Sequence, residues 1–247
     1  MLSVREVTAS YGDHRVINGI SFELQAGELC TVVGASGCGK TTLLMLAAGL
    51  KTPDSGEVLL DGGPVRPGDR RIGLILQTYG LFPWFTVRDN VALGLKIAGM
   101  KRTERYRAAA AELERVGLSG FGRRYPAALS GGQRQRVAIA RTLALEPELL
   151  LMDEPFSSID ALTREALQDL LLRLLSSGGP LTTVLVTHSI EEAVYLGTKV
   201  LLMTPHSGKI ARVFENPDLR GVAYRESESF FTRCAEVRRA MELEERV

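Results

Sequence analysis

Four groups of residues in this chain have the types and spacing to do chemistry. Gly34-Ala35-Ser36-Gly37-Cys38-Gly39-Lys40-Thr41 follows the pattern G-x-x-x-x-G-K-T and lies between an apolar run and a helical one. Gly34, Gly37 and Gly39 let successive backbone N–H groups turn inward on phosphates, at the positive end of the helix that follows. Lys40 is expected on the outer phosphates and the Thr41 hydroxyl on Mg²⁺. Ser36, Cys38 and Thr42 count with the binding loop, Cys38 as a small filler. Downstream, Leu149-Leu150-Leu151-Met152-Asp153-Glu154 runs an apolar strand into two acids. Strand alternation sends these two to opposite faces, so Asp153 is assigned to Mg²⁺ through water and Glu154 to polarising the attacking water. Gln77 and His188 each end another apolar run. Read alone, either is an ordinary strand-end polar residue. Beside a hydrolytic site, Gln77 can touch both metal and attacking water, and His188 joins it as a catalytic candidate. The fourth group, Ser130-Gly131-Gly132-Gln133, opens a helical run with a hydroxyl and two glycines but has no lysine of its own. It needs phosphate held by something else. The economical arrangement is a second subunit, each closing the other's nucleotide; a simple N-cap would explain the serine and leave both glycines unused.

The elements that must position these groups alternate. Short strands are expected at Val4 to Ser10, Ile20 to Leu24 and Leu29 to Val33, with a helix from Thr41 to Leu50 after the glycine loop. Further strands are "GEVLLDG", "RRIGLILQ" ending at Gln77, "ELLLMDE", "TTVLVTH" and "KVLLMT". From Thr86 to about Ala144 the period becomes helical, which marks an insertion. A later helix carries Leu167, Leu170, Leu171 and Leu174 as one apolar stripe. The pattern is an α/β core interrupted by helices. Its only expected hinge is the turn at residues 176–180, and its last twenty residues read as an amphipathic helix, solvated or docking.

Bulk properties narrow the partners. Thirty basic residues against 29 acidic ones give no electrostatic reason to expect nucleic acid as principal partner. Cys30, Cys38 and Cys234 are scattered and unpaired in spacing, which suggests neither a disulfide framework nor a zinc site and suits a reducing cytosol. The N-terminus lacks a signal-peptide pattern, and no apolar run is long enough to cross a bilayer, so the chain is expected to be soluble. No N-K-x-D element is present to read guanine.

Taken together and in this order, the motifs resemble those of the ATP-binding cassette (ABC) ATPases over nearly the whole chain. "GASGCGKT" is similar to the Walker A loop, Gln77 to the Q-loop, "LSGGQ" to the signature, "LLLMDE" to Walker B and His188 to the switch histidine. "SSID" resembles the D-loop, with Asp160 its acid, and Tyr11 the aromatic that stacks on adenine. The resemblance implies a P-loop NTPase core of ABC type with an antiparallel β subdomain and an inserted helical subdomain. Residues 1–229 would form the ATPase domain, with the insertion at about 86–145 and a helical tail at 230–247. It also implies a head-to-tail dimer, as a homodimer or with a paired ATPase subunit. Two ATP molecules would be sandwiched between Walker A of one subunit and LSGGQ of the other, driving a separate membrane permease.

"GLFPWFTVRDNVALGL", "SIDALTREALQDLLLRL" and "VTHSIEEAVYLGTKVLLM" resemble more narrowly the nitrate, sulfonate and taurine importers. That implies uptake of a small anion delivered by a periplasmic binding protein, with this chain peripheral on the cytoplasmic face of the membrane. An exporter ATPase and a soluble, non-transport ABC ATPase are the alternative readings. Leu81, Phe82, Trp84 and Phe85 form either a docking surface or packing for the helical subdomain. The chain departs from the family pattern at Thr78, where an acid is frequent, Ile159, usually leucine, and Ser189, commonly aspartate, and no appended regulatory domain is expected.

Overall fold

The computed structural model describes residues 1–204, 208–216 and 221–244. From the N-terminus, β1 (Leu2–Tyr11) and β2 (His14–Leu24) form a hairpin, and β3 (Leu29–Val33) leads through the glycine loop into α1 (Lys40–Ala47). Strands β4 (Ser55–Leu60), β5 (Gly63–Pro64) and β6 (Ile72–Ile75) follow. Helices α2 (Val87–Ile97), α3 (Arg102–Arg115) and α4 (Gly131–Leu143) then precede β7 (Leu149–Asp153). The chain continues through α5 (Ala161–Ser176), β8 (Thr182–Thr187), α6 (Ile190–Leu196) and β9 (Lys199–Met203). It closes with β10 (Ile210–Glu215), α7 (Val222–Arg225) and α8 (Glu228–Glu244).

Two sheets result. One is antiparallel, in the order β2-β1-β4-β5; the other runs β10-β9-β3-β8-β7-β6, parallel except for β10 at its edge. Neighbouring residues on each central strand enter opposite cores. Cys30, Val32, Leu149, Leu151, Val184 and Val186 pack with α1 and the antiparallel sheet. Leu29, Val33, Leu150, Met152 and Leu185 pack on the other face with α4, α5, α6 and α8. A sheet covered on both sides has no polar face, which is why its strands read as unbroken apolar runs. The stripe of Leu167, Leu170, Leu171 and Leu174 is buried as its period predicts.

The inserted helices are joined to the aromatic segment by one side chain. Fully buried Asn90 donates to the carbonyls of Phe82, Phe85 and Thr86 and accepts from the Phe82 N–H at 2.8 Å. Thr86 caps α2 by accepting from the Asp89 N–H, and Asp89 in turn accepts from the Tyr106 hydroxyl at 2.8 Å.

One expectation shifts, one strand is added and one open reading is decided. The sixth strand stops at Ile75, so Gln77 lies two residues beyond it, in the turn that follows. β10 has no clean alternation in the sequence because most of its residues are exposed or half-buried; backbone pairing with β9 holds it. Of the two readings of the C-terminal helix, solvated or docking, docking is the one observed. The helix buries Phe230, Cys234, Val237 and Ala240, and Arg238 reaches Glu191 of α6 at 2.8 Å. Residues 245–247 of that expected tail lie outside the described residues.

Candidate active site

Sheet register collects the chemical groups at one end of the strands. β8 lies between β3 and β7, with Val33 beside Thr187 and Asp153 beside Val186. The glycine loop, Glu154 and His188 therefore leave the same end of the sheet, and Gln77 leaves β6 next to them. Ligands of open parallel sheets gather at this end. A cleft of about 370 Å³ opens there, lined by Ser36, Gly37, Gly39, Lys40, Thr41 and Thr42, with Gln77, Asp153, Glu154 and Val16 of the hairpin.

The glycine loop has little freedom to be anything else. Gly37 and Gly39 take φ of +81° and +105°, which favours glycine, and a Cβ on Gly39 would stand 2.9 Å from both the Val16 carbonyl oxygen and Ile17 Cδ1. Lys40 is buried and its Nζ donates to the carbonyls of Gly34 and Ala35 at 2.8 and 2.9 Å, spanning its own loop. The Cys38 side chain is buried among the core beneath the hairpin and does not line the cleft; burial pushes its thiol pKa up.

The two acids divide as alternation predicts. Thr41 Oγ1 donates to Asp153 at 3.1 and 3.2 Å, one contact to each carboxylate oxygen. Burial holds the Asp153 carboxyl above its ordinary pKa, a rise that the Thr41 hydrogen bond opposes and the neighbouring Glu154 charge reinforces. Glu154 sits past the end of the strand at φ +42°, left-handed for a side-chain-bearing residue, with its N–H bonded to the Val186 carbonyl at 3.0 Å. That turn aims its side chain at the other pair. Glu154 Oε2 meets Gln77 Nε2 at 3.4 Å and His188 Nδ1 at 3.1 Å, while Oε1 has no hydrogen-bond partner among the described residues.

Other anticipated residues lie elsewhere. Tyr11 is exposed at the tip of β1, with Lys51 Nζ 4.2 Å over its ring, and does not line the cleft. Asp160 caps α5, accepting from the Thr163 N–H at 3.1 Å. Ser130 caps α4 and Gly131, Gly132 and Gln133 open its first turn, outside the cleft lining. Ser130 and Gln133 form a reciprocal capping box: Ser130 Oγ accepts from the Gln133 N–H at 3.3 Å, and Gln133 Oε1 accepts from the Ser130 N–H at 3.0 Å. The cap does not leave both glycines unused, contrary to the expectation from sequence. A Cβ on Gly132 would stand 2.5 Å from Thr163 Cγ2, so the packing of α4 on α5 already favours glycine there. Gly131 has no such constraint; a Cβ there would meet Tyr79 OH at 3.6 Å.

A family model described as ABC transporter matches residues 17–157. This chain belongs to the ABC transporter family. The taurine import ATP-binding protein TauB of Escherichia coli O157:H7 is 47% identical over 211 residues, 85% of this chain and 82% of that protein. TauB of Yersinia pestis bv. Antiqua (strain Antiqua) is 46% identical over 210 residues, with the same shares covered. The dimeric MJ0796, a bacterial ABC transporter cassette, matches with TM-score 0.78 at 32% identity, covering 89% of this chain and all of its own. A post-hydrolysis dimer of MJ0796 bound to ADP and Pi matches with TM-score 0.77, also at 32% identity. The architecture expected from the motifs is the one observed, and the ABC chain is an ATP-hydrolysing cassette.

Within this ABC cassette, two departures from the family pattern have physical accounts. Ser189 caps α6 by accepting from the Glu192 N–H, which a serine does as well as an aspartate. Ile159 is buried in the core. Nothing in the structure explains Thr78. Four further side chains contribute, two of them, Ser157 and Ser158, from the "SSID" stretch. Ser157 Oγ lies 3.3 Å from Gln77 Nε2, and Ser158 Oγ lies 2.6 Å from Tyr79 OH. Arg141 of α4 donates to the carbonyls of Tyr79 and Gly80, tying the Gln77 turn to the inserted helices. Val16 enters the cleft because the hairpin folds over the loop, a contact that local pattern cannot reveal.

Proposed function

We propose that the chain is the ATPase subunit of an importer for a small anion of the taurine or sulfonate type, working with separate permease subunits and, indirectly, a periplasmic binding protein. The observation that carries the catalytic half is the pairing of Gln77 and His188 on one oxygen of Glu154, inside the cleft that the glycine loop lines. The other oxygen faces no competitor and is the atom that takes a proton from the attacking water. His188 and Gln77 hold that carboxylate in place. Lys40 and the N–H groups of the glycine loop that face the cleft hold the phosphates, and their positive charge favours the negative charge that builds up during phosphoryl transfer.

Thr41 and Asp153 present a hydroxyl and a carboxylate to each other, a hard-oxygen pair suited to Mg²⁺. They would hold that ion, with the amide oxygen of Gln77, which has no hydrogen-bond partner among the described residues. When bound, Mg²⁺ would neutralise charge on the outer phosphate oxygens.

Ser130 and Gly131, exposed or half-exposed at the start of α4, lie outside their own chain's cleft and are read as closing the partner's nucleotide in a head-to-tail pair. Asp160 would act at that same interface and Tyr11 on the adenine. In this reading residues 1–229 are the cassette, 86–145 the helical insertion and 230–247 a tail docked on it. No described helix is long and apolar enough to cross a membrane, and the subunit is placed on the cytoplasmic face through its permease. The anion assignment draws support from the TauB likeness. Deleting the gene should abolish uptake of radiolabelled taurine or alkanesulfonates and leave sulfate uptake intact; unchanged sulfonate uptake would refute the import reading.

A further inference from the structure

His188 meets Glu154 with little to hold it from its own side. Its side chain is exposed, and the contact of Nδ1 with Glu154 is its ring's one hydrogen bond among the described residues. The aim of the ring therefore depends on the backbone that carries it. Two residues with no part in the chemistry so far fasten that backbone.

The first is Glu192, third residue of α6, where a capping box would send the carboxylate back to the Ser189 N–H. The bonds run otherwise. The Ser189 N–H donates to Thr187 Oγ1 at 3.0 Å, and the Thr187 hydroxyl donates to Glu192 Oε2 at 2.6 Å. The residues on both sides of His188 thus end on one carboxylate. Glu192 is only 6% exposed, and burial raises its pKa, which the Thr187 hydrogen bond and the Arg164 charge oppose. An ionised carboxylate is costly to bury unless it is bonded and paired, and these partners supply both.

The second is Arg164, near the start of α5. Its Nη2 donates to the Ile159 carbonyl at 2.8 Å, one residue before Asp160. Its Nε is buried without a hydrogen-bond partner and lies 3.8 Å from Glu192 Oε1. That is close enough for an ion pair and about 1 Å too long for a hydrogen bond, so a small approach of α5 to α6 tightens the link. Ile159, Arg164, Glu192 and Thr187 form one chain of contacts from the loop before α5 to the turn that carries His188.

We propose that Glu192 and Arg164 are positioning residues for ATP hydrolysis: Glu192 clamps the backbone on either side of His188, and Arg164 ties that clamp to the loop ending at Asp160. Movement of the loop then re-aims the histidine on Glu154. This rests on the role given above to His188, and the experiment separates the two.

The measurements are kcat and KM for ATP, referred to ATP-binding sites so that unfolded chains are not counted. Where kcat is low, single-turnover hydrolysis of radiolabelled ATP replaces it. Misplacing a reacting group by about 1 Å costs about a hundredfold, so Glu192→Ala should lower kcat by about that factor and leave KM unchanged. Glu192→Gln, which keeps an oxygen for Thr187 in the same shape, should recover part of the loss. Arg164→Met removes a charge-assisted contact and should lower kcat about tenfold. Added to His188→Ala, Glu192→Ala should slow hydrolysis no further, because it acts through that ring. Undiminished kcat in Glu192→Ala or Arg164→Met would overturn the proposal. So would a full further loss when Glu192→Ala is added to His188→Ala, since the carboxylate would then act on the fold alone. His188→Ala hydrolysing at the parent rate would sink the role of His188 and the clamp with it; a slow His188→Ala beside a normal Glu192→Ala sinks the clamp alone.

Discussion

Gly131 and Gly132 are neighbours in one motif, yet the structure gives them separable duties. Gly132 faces α5, where an added Cβ would lie 2.5 Å from Thr163 Cγ2 and 3.6 Å from Leu167 Cδ1. The first distance is far inside van der Waals contact, so Gly132→Ala must push Thr163 off its rotamer or part the two helices. Overpacking of this kind costs about 1–3 kcal/mol. In a chain of 247 residues about 1 kcal/mol lowers Tm by roughly 2–4 °C, so a fall of about 2–12 °C is expected. Thr163→Ser removes the obstructing methyl, and the double variant should recover most of the loss, a coupling that a double-mutant cycle measures. Gly131→Asp should behave in the opposite way. Its Cβ would meet only ordinary contact at 3.6 Å, and an acid in the first turn of α4 gains about 0.3–1 kcal/mol from the helix dipole. The same carboxylate would repel a partner's phosphates. The assay is differential scanning fluorimetry alongside size-exclusion chromatography with ATP, in a Glu154→Gln background that retains nucleotide. Gly131→Asp should melt at or above the parent temperature and remain monomeric. A Gly132→Ala protein that melts like its parent would refute the packing account, and a Gly131→Asp protein that still pairs around ATP would refute the shared-site account.

Glu154→Gln should lower turnover by roughly 10²- to 10⁴-fold while keeping ATP binding, measured by phosphate release and filter binding; undiminished turnover would remove Glu154 from its role as base. Lys40→Ala should weaken ATP binding itself, and because Nζ also ties Gly34 and Ala35 it should loosen the loop, visible as faster amide exchange there. Asp153→Asn should abolish Mg²⁺-dependent hydrolysis yet stabilise the nucleotide-free protein near neutral pH. The folded-state pKa of Asp153 is raised, so ionisation above that pKa disfavours the fold, and the stabilisation should vanish as the pH falls through the ordinary carboxylate range, read from Tm against pH. Asn90→Ala should cost about 2–4 kcal/mol by stripping bonds from the Phe82, Phe85 and Thr86 backbone. It should also change Trp84 emission; an unaltered Tm and spectrum would show that Asn90 does not hold the segment.

Much of the site was legible because its parts are local. A phosphate loop is a run of glycines between a strand and a helix, and an apolar strand ending in Asp153 and Glu154 announces two faces at once. The unbroken apolar runs likewise marked a sheet covered on both sides. Elements held by their partners were not legible: β10 relies on backbone bonds to β9, and the docking of α8 follows from a face that α6 happens to offer.

The sequence by itself therefore determined which groups are present, their order and the chemistry open to them, since motif, strand period and capping act within a few residues. Tertiary structure decided which of those groups meet. Register set Glu154 beside His188 and Gln77, the hairpin brought Val16 over the loop, and the fold left Ser130 and Gly131 outside their own chain's cleft. It also decided that Gly132 serves a helix contact, because a clash 2.5 Å away comes from Thr163, thirty-one positions along the chain. No local pattern encodes such a distance; only the packing of α4 on α5 does.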